Sequence, residues 1–159
     1  MEVITQTLPL QKNDSGIREA NSSDAVELAA LMCDLGYQTK RAEMQMRLRS
    51  ILKNPAYKTF VAEMNGALCG MIGTVSNASY LHNDLNGRII ALVVSSKMRR
   101  RGIGRELIAA AEKDFARRKI TRVTLTARFE REEAHRFYEK LGYSRTGLRF
   151  GKNLTRAAD

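Results

Sequence analysis

The run Ile89-Ile90-Ala91-Leu92-Val93-Val94, the turn Arg99-Arg100-Arg101-Gly102-Ile103-Gly104, and apolar residues at 103, 107, 111 and 115 leave few folds open. The continuous apolar run predicts a buried strand. Ile103, Leu107, Ala111 and Phe115, each four positions from the next, predict one face of a helix. Strand, glycine turn and helix in this order make an anion-binding geometry. The first turn of a helix has N–H groups with no internal partner and the positive end of the macrodipole, so it attracts phosphate. Gly102 and Gly104 lack the Cβ atoms that would hold a phosphate away from those amides. Arg99, Arg100, Arg101 and Arg105 add positive charge at the same point. Taken alone, the turn also fits a basic solvated loop ended by glycine.

Two nucleotide-binding patterns fail here. A Walker loop needs Gly-Lys-Ser/Thr after a first glycine and four spacers, and a dinucleotide fingerprint needs a third glycine or alanine three residues on. Gly104 is followed by Arg105, Glu106 and Leu107, which meets neither requirement.

The rest of the chain can be ordered around this unit. Residues 1–15, with Pro9 and Asn13-Asp14-Ser15-Gly16, lack periodicity and are expected to form a flexible arm before a single domain over 16–159. Strands are expected at 17–20, 58–64, 67–76, 88–95 and 122–127, with one or two more over 143–154. Asn65-Gly66 between two of them is the signature of a two-residue hairpin turn. Helices are expected from the Ser22, Ser23 and Asp24 caps to Gly36, from Thr39 to Asn54-Pro55, over 102–118, and over 130–141 ended by Gly142. That order suits one mixed sheet covered by helices.

The pattern Arg-x-x-Gly-x-Gly at 99–104, after its strand and before Ala134-His135-Arg136-Phe137-Tyr138-Glu139-Lys140-Leu141-Gly142-Tyr143, resembles the GNAT superfamily of acyl-CoA-dependent N-acyltransferases. The resemblance runs from about 17 to 154. It implies a mixed α/β fold: one mostly antiparallel twisted sheet of six or seven strands, flanked by about four helices. It also implies an acetyl-CoA-dependent N-acetyltransferase acting on a primary amine of a small molecule or peptide, by direct attack in a ternary complex. Acetyl-CoA would enter a split between the central strand and the strand after the glycine helix. Main-chain groups of Leu92, Val93 and Val94 would align its pantetheine arm and thioester. Amides from Arg100, Arg101, Gly102, Ile103, Gly104 and Arg105 would hold the pyrophosphate, with Arg99 in the leading position of the motif. Tyr138 matches the family tyrosine that protonates the departing thiolate. Arg131 stands where relatives often carry a cofactor-binding asparagine.

The resemblance leaves the general base open. Many relatives place a glutamate on the central strand, but no acid occurs between Asp84 and Glu106. Asp34, Glu63 and Asp84 are candidates, as is catalysis with no protein base. The segments expected to choose the acceptor are 34–41 and the loop 80–87, and both carry few acids.

Composition limits the remaining classes. The net charge of +10 lies wholly beyond Ser96: 18 basic and 8 acidic residues follow it, whereas the first 96 residues hold 9 of each. A phosphate-rich cofactor accounts for part of this excess. The alternative is a non-catalytic acyl-CoA-sensing or nucleic-acid-binding module on the same fold, although the strands lack the interleaved aromatics of a base-stacking platform. Cys33 and Cys69 lack metal-ligand spacing, so reduced packing thiols and no metal are expected. No stretch approaches the roughly 18 apolar residues of a membrane span, and the start does not read as a signal peptide. A cytoplasmic enzyme without membrane contact is expected, and a homodimer is compatible with this reading.

Overall fold

The computed structural model describes residues 15–155. Most of the arm expected over 1–15 lies outside them, and Ser15 itself opens the first strand. The elements in order are β1 (Ser15–Glu19), α1 (Ala25–Asp34), α2 (Arg41–Lys53), β2 (Tyr57–Met64), β3 (Ala67–Asn77), β4 (Asn86–Val94), α3 (Ile103–Arg117), β5 (Val123–Thr124) and α4 (Glu132–Lys140). Short 3-10 turns precede α1 at Ser22–Asp24 and follow β4 at Ser96–Met98. The five strands lie in sequence order, antiparallel from β1 to β4 and parallel between β4 and β5.

Local chemistry sets the boundaries. Asn65 and Gly66 both have positive φ, 52° and 79°, as a type I′ turn requires, so β2 and β3 pair as the sequence predicts. The cap before α1 is Asn21, one residue earlier than expected. Its side chain accepts from the Ser23 N–H, while the Asp24 carboxylate accepts from the Asn21 N–H at 2.8 Å. Arg18 grips the same carboxylate at 2.9 Å and holds it below the ordinary carboxylate range, which ties the start of α1 to β1. Gly36 ends the helical segment with φ of 103°.

The sheet is covered on both faces. One core gathers Ile72, Ile89, Ile103, Leu107, Ile108, Ala111 and Phe115, with Leu92, Val94, Phe137 and Tyr138 packed against it, so α3 and α4 cover that face. The other joins Leu28, Leu31, Met44 and Leu48 of α1 and α2 to Val61, Met71 and Val93. The four apolar positions that predicted the α3 stripe are all buried.

Gly87 is required by close approach. A Cβ there would lie 2.8 to 3.0 Å from the ring of Phe115, which is buried at the centre of α3 packing. Gly87→Ala is expected to destabilise the fold by about 1–3 kcal/mol, the usual cost of overpacking. A urea melt checks it: the midpoint should fall with the slope unchanged.

The expected strand count is corrected. Among the described residues five strands form rather than six or seven, because residues 143–154 hold no strand; β5, in addition, is two residues long instead of six. A strand exists only in a ladder. Pairing between β4 and β5 stops at Arg88↔Thr124, and no ladder extends outward from β5. Leu148, Phe150 and Leu154 alternate like strand residues but are 68%, 89% and 84% exposed.

Candidate active site

A β-bulge shapes the middle of the sheet. Gly73 pairs with Ala91 and Thr74 with Ile89, so Ile90 is an extra residue on β4. Such a bulge bends its strand and sharpens the local twist. The two parallel strands pair only at Gly87↔Val123 and Arg88↔Thr124, and beyond Arg88 they part. The result is a split, open toward the end of β4 that feeds the glycine turn.

The backbone along this split has an assignable direction. Ser95 donates to the Cys69 carbonyl on β3 at 2.8 Å. Main-chain groups alternate sides along a strand, so Val93 likewise spends its N–H and C=O on β3, while Leu92 and Val94 present theirs to the split. In agreement, the Val94 carbonyl receives the Arg99 guanidinium at 3.4 Å. Of the three residues expected to align a cofactor arm, two have free direction toward it.

The turn then delivers an open helix start. Gly102 is the N-cap of α3, with φ of 80° and no side-chain cap. Nothing lies within 4 Å of where its Cβ would be, so the space beside the cap itself is open. Arg100 also has positive φ, 63°, and Arg99, Arg100, Arg101 and Arg105 are all exposed around this end. The side chain of Ile103 is in the core, so it offers the turn only its amide.

Helix α4 packs directly on that first turn. A Cβ on Gly104 would sit 3.3 Å from Cζ of Phe137 and 3.8 Å from Val94. Phe137 in turn meets Tyr138 edge to face at 5.2 Å between ring centres, and Tyr138 meets Tyr143 at 6.0 Å. The Tyr138 hydroxyl has no hydrogen-bond partner among the described residues. Burial pushes its phenol above the ordinary value, and the charge of Arg131, the residue that caps α4, partly opposes this. The phenol is therefore a proton donor over the whole neutral range. Tyr143 is committed elsewhere: burial and a 2.8 Å bond to Glu112 raise its phenol further.

The candidate bases fall in three different places. The Asp34 carboxylate accepts from the Ser96 N–H at 3.4 Å, which puts the end of α1 beside the exit of β4. Glu63 pairs with Arg18 at 2.9 Å on the far side of the sheet. Asp84 is bonded by Arg122 at 2.6 Å and by Thr121, and Arg122 holds it below the ordinary carboxylate range at the start of β4. Segments 34–41 and 80–87 thus flank opposite ends of β4. His135 bonds the Arg128 carbonyl at 2.8 Å and serves the loop before α4. Cys33 and Cys69 are free thiols, and burial raises that of Cys69.

Ile90 escaped the sequence reading. Within an unbroken apolar run nothing distinguishes a bulged residue, yet it is 46% exposed. Arg88, a lone cation at the head of this apolar run, belongs to no motif that would single it out.

The Acetyltransferase (GNAT) family model matches residues 25–143, three quarters of the chain. The chain belongs to the GNAT acetyltransferase family. The aminoalkylphosphonate N-acetyltransferase of Salmonella typhimurium is 32% identical over 143 residues, covering 87% of this chain and 90% of that protein. A GNAT family acetyltransferase of Staphylococcus aureus superposes with a TM-score of 0.77 at 26% identity, over 88% of this chain and 98% of that one. The aminoglycoside N-acetyltransferase AAC(6')-Iy in complex with CoA superposes with a TM-score of 0.79 over 93% of this chain and 100% of that one. At 18% identity that likeness shows the GNAT fold alone. Among the described residues, no helix is long and apolar enough to cross a membrane.

Proposed function

We propose that this GNAT protein transfers an acetyl group from acetyl-CoA to a primary amine of a small molecule, by direct attack in a ternary complex. What carries the reading is that the β4–β5 split opens onto the uncapped start of α3, with Phe137 and Tyr138 packed against the same turn. The names of relatives add support: one acts on aminoalkylphosphonates, and another is an aminoglycoside enzyme complexed with CoA. Both are amine-bearing small molecules, which favours such acceptors over peptides.

The residues fit acetyl-CoA. Leu92 and Val94 turn main-chain groups toward the split, as a third strand would need, and open space at the Gly102 Cβ position, at the uncapped start of α3, suits a pyrophosphate held by the amides of Gly102, Ile103, Gly104 and Arg105. Arg99, Arg100, Arg101 and Arg105 supply diffuse charge there, and Arg131 supplies it beside Tyr138. The thioester brings an activated acyl group and a thiol leaving group. The N–H of Leu92 or Val94 can stabilise charge on the acyl oxygen.

A primary amine with a pKa near 10.4 is unprotonated in only about one molecule in a few thousand at pH 7. Among the described residues, β4 and β5 carry no carboxylate along the split. Asp34 sits at Ser96, beyond the exit of β4 and six residues from the bulge, so any proton it takes from the amine travels through solvent. Tyr138 donates to the leaving sulfur. Its raised phenol stays protonated at neutral pH and so has a proton to give; because a thiol lies at roughly 8.5, the transfer runs uphill, and the phenolate is restored by a proton from solvent.

The test is a thermal melt with and without acetyl-CoA. Ligand at 100 times its dissociation constant adds about 2.7 kcal/mol, which should raise the midpoint by about 5–11 °C for a chain of this size. Amines are then screened by release of free thiol. Absence of both the shift and thiol release would overturn the proposal.

A further inference from the structure

The face of the sheet turned away from α3 is only partly covered. α1 and α2 lie over Val61, Met71 and Val93, but the row Val75–Arg88–Thr124 is left beyond them. Arg88 belongs to this open face because its neighbour Ile89 is buried against α3, and neighbours on a strand point to opposite faces. On β5 the same alternation holds: Val123 and Leu125 pack toward α3, so Thr124 and Thr126 share the face of Arg88. The bulge is what puts Arg88 there. Were β4 regular through Ile90, strict alternation would put Arg88 in step with Leu92 and Val94, on the α3 face.

Arg88 stands at a defined place in the chemistry. Arg88↔Thr124 is the last paired position before β4 and β5 separate, so the guanidinium marks the closed end of the split. Its side chain reaches across to the Thr126 hydroxyl at 3.3 Å, and among the described residues it has no carboxylate partner. An arginine bonded to a single hydroxyl keeps most of its donors for an incoming group. Next to it, exposed Ile90 stands beside buried Gly73 and makes a small apolar step. A Cβ on Gly73 would meet Ile90 and Ala91 only at ordinary contact, 3.7 and 3.8 Å, so the glycine leaves a shallow dent.

We infer that Arg88 binds the anionic group of the acceptor, which is therefore a short primary amine carrying a phosphonate or carboxylate a few bonds from its nitrogen. This rests on the acetyl-transfer reading above. A cofactor arm running back along β4 from the glycine turn ends its thioester near the bulge. Two strand residues span about 6.6 Å, so Arg88 lies one short molecule away from the reacting carbon. The amine occupies the step at Ile90, and the anion takes the free donors of Arg88 beside the Thr126 hydroxyl. Arginine suits both anions because its planar fork matches either one bidentately.

The test compares 2-aminoethylphosphonate, β-alanine and n-propylamine as acceptors with wild-type, Arg88→Gln and Arg88→Lys proteins. Direct binding of the two anionic amines is followed by thermal shift without acetyl-CoA. The anionic acceptors should be preferred over propylamine. Arg88→Gln should lower kcat/KM for them by about 10- to 100-fold, the weight of one charge-assisted hydrogen bond. Propylamine turnover and the acetyl-CoA shift should stay within about twofold of wild type, and Arg88→Lys should recover part of the loss. Which anion suffers more identifies the natural group. Equal loss on all three amines, no anionic preference, or no binding of either anion would overturn the inference. Transfer that ignores Arg88 leaves the acetyltransferase reading standing, whereas anion binding lost in Arg88→Gln without any transfer sinks that reading and keeps this site.

Discussion

Gly102→Val is expected to abolish the acetyl-CoA thermal shift while leaving a folded protein. The position has φ of 80°, a region that costs non-glycine residues roughly 1–2 kcal/mol and β-branched ones more. No atom lies within 4 Å of the new Cβ, so nothing in the core is displaced and the damage stays in the turn. The turn has two ways to respond, and both remove the site. It can hold its shape and place a branched side chain over the α3 amides, or relax and aim those amides elsewhere. Calorimetric titration with CoA separates this from unfolding, because heat of binding disappears while the melt remains cooperative. Binding that persists at wild-type strength would show that the turn does not hold the pyrophosphate.

Tyr138→Phe should do the opposite: keep acetyl-CoA binding and lower kcat about a hundredfold, the scale of one general acid. The edge-to-face contacts with Phe137 and Tyr143 involve the ring and survive the change. Only the hydroxyl is lost. The sign of the pH effect follows from the direction of the phenol shift. A group acting as an acid works below its pKa, and burial has raised that pKa. Wild-type kcat should therefore hold through the neutral range and fall only above the ordinary phenol value near 10, and this alkaline limb should be missing in Tyr138→Phe. An unchanged kcat on the preferred acceptor would take Tyr138 out of the mechanism.

The strand, turn and α3 were legible because each carries a local rule. A continuous apolar run, glycines where φ is positive, and a four-residue apolar spacing need no partner to be recognised. The hairpin at Asn65-Gly66 is legible for the same reason. β5 and the segment after Tyr143 were not, since the β-branched residues over 122–127 promise a strand but cannot say how far its neighbour stays alongside. The position of Arg88 depends on a bulge that an all-apolar run conceals. Asp34, Glu63 and Asp84 stood equal in sequence, and only their hydrogen bonds with Ser96, Arg18 and Arg122 tell them apart.

The extra residue at Ile90 divides β4 into two reading frames. Downstream, Leu92 and Val94 meet the split through main-chain atoms, which every amino acid carries alike. Upstream, residue 88 meets it through a side chain. If Arg88 holds the acceptor as inferred above, mutation in the first half would rewrite which amine is bound without disturbing the main-chain groups of the second. A single strand can in this way keep an inherited cofactor while its substrate range drifts.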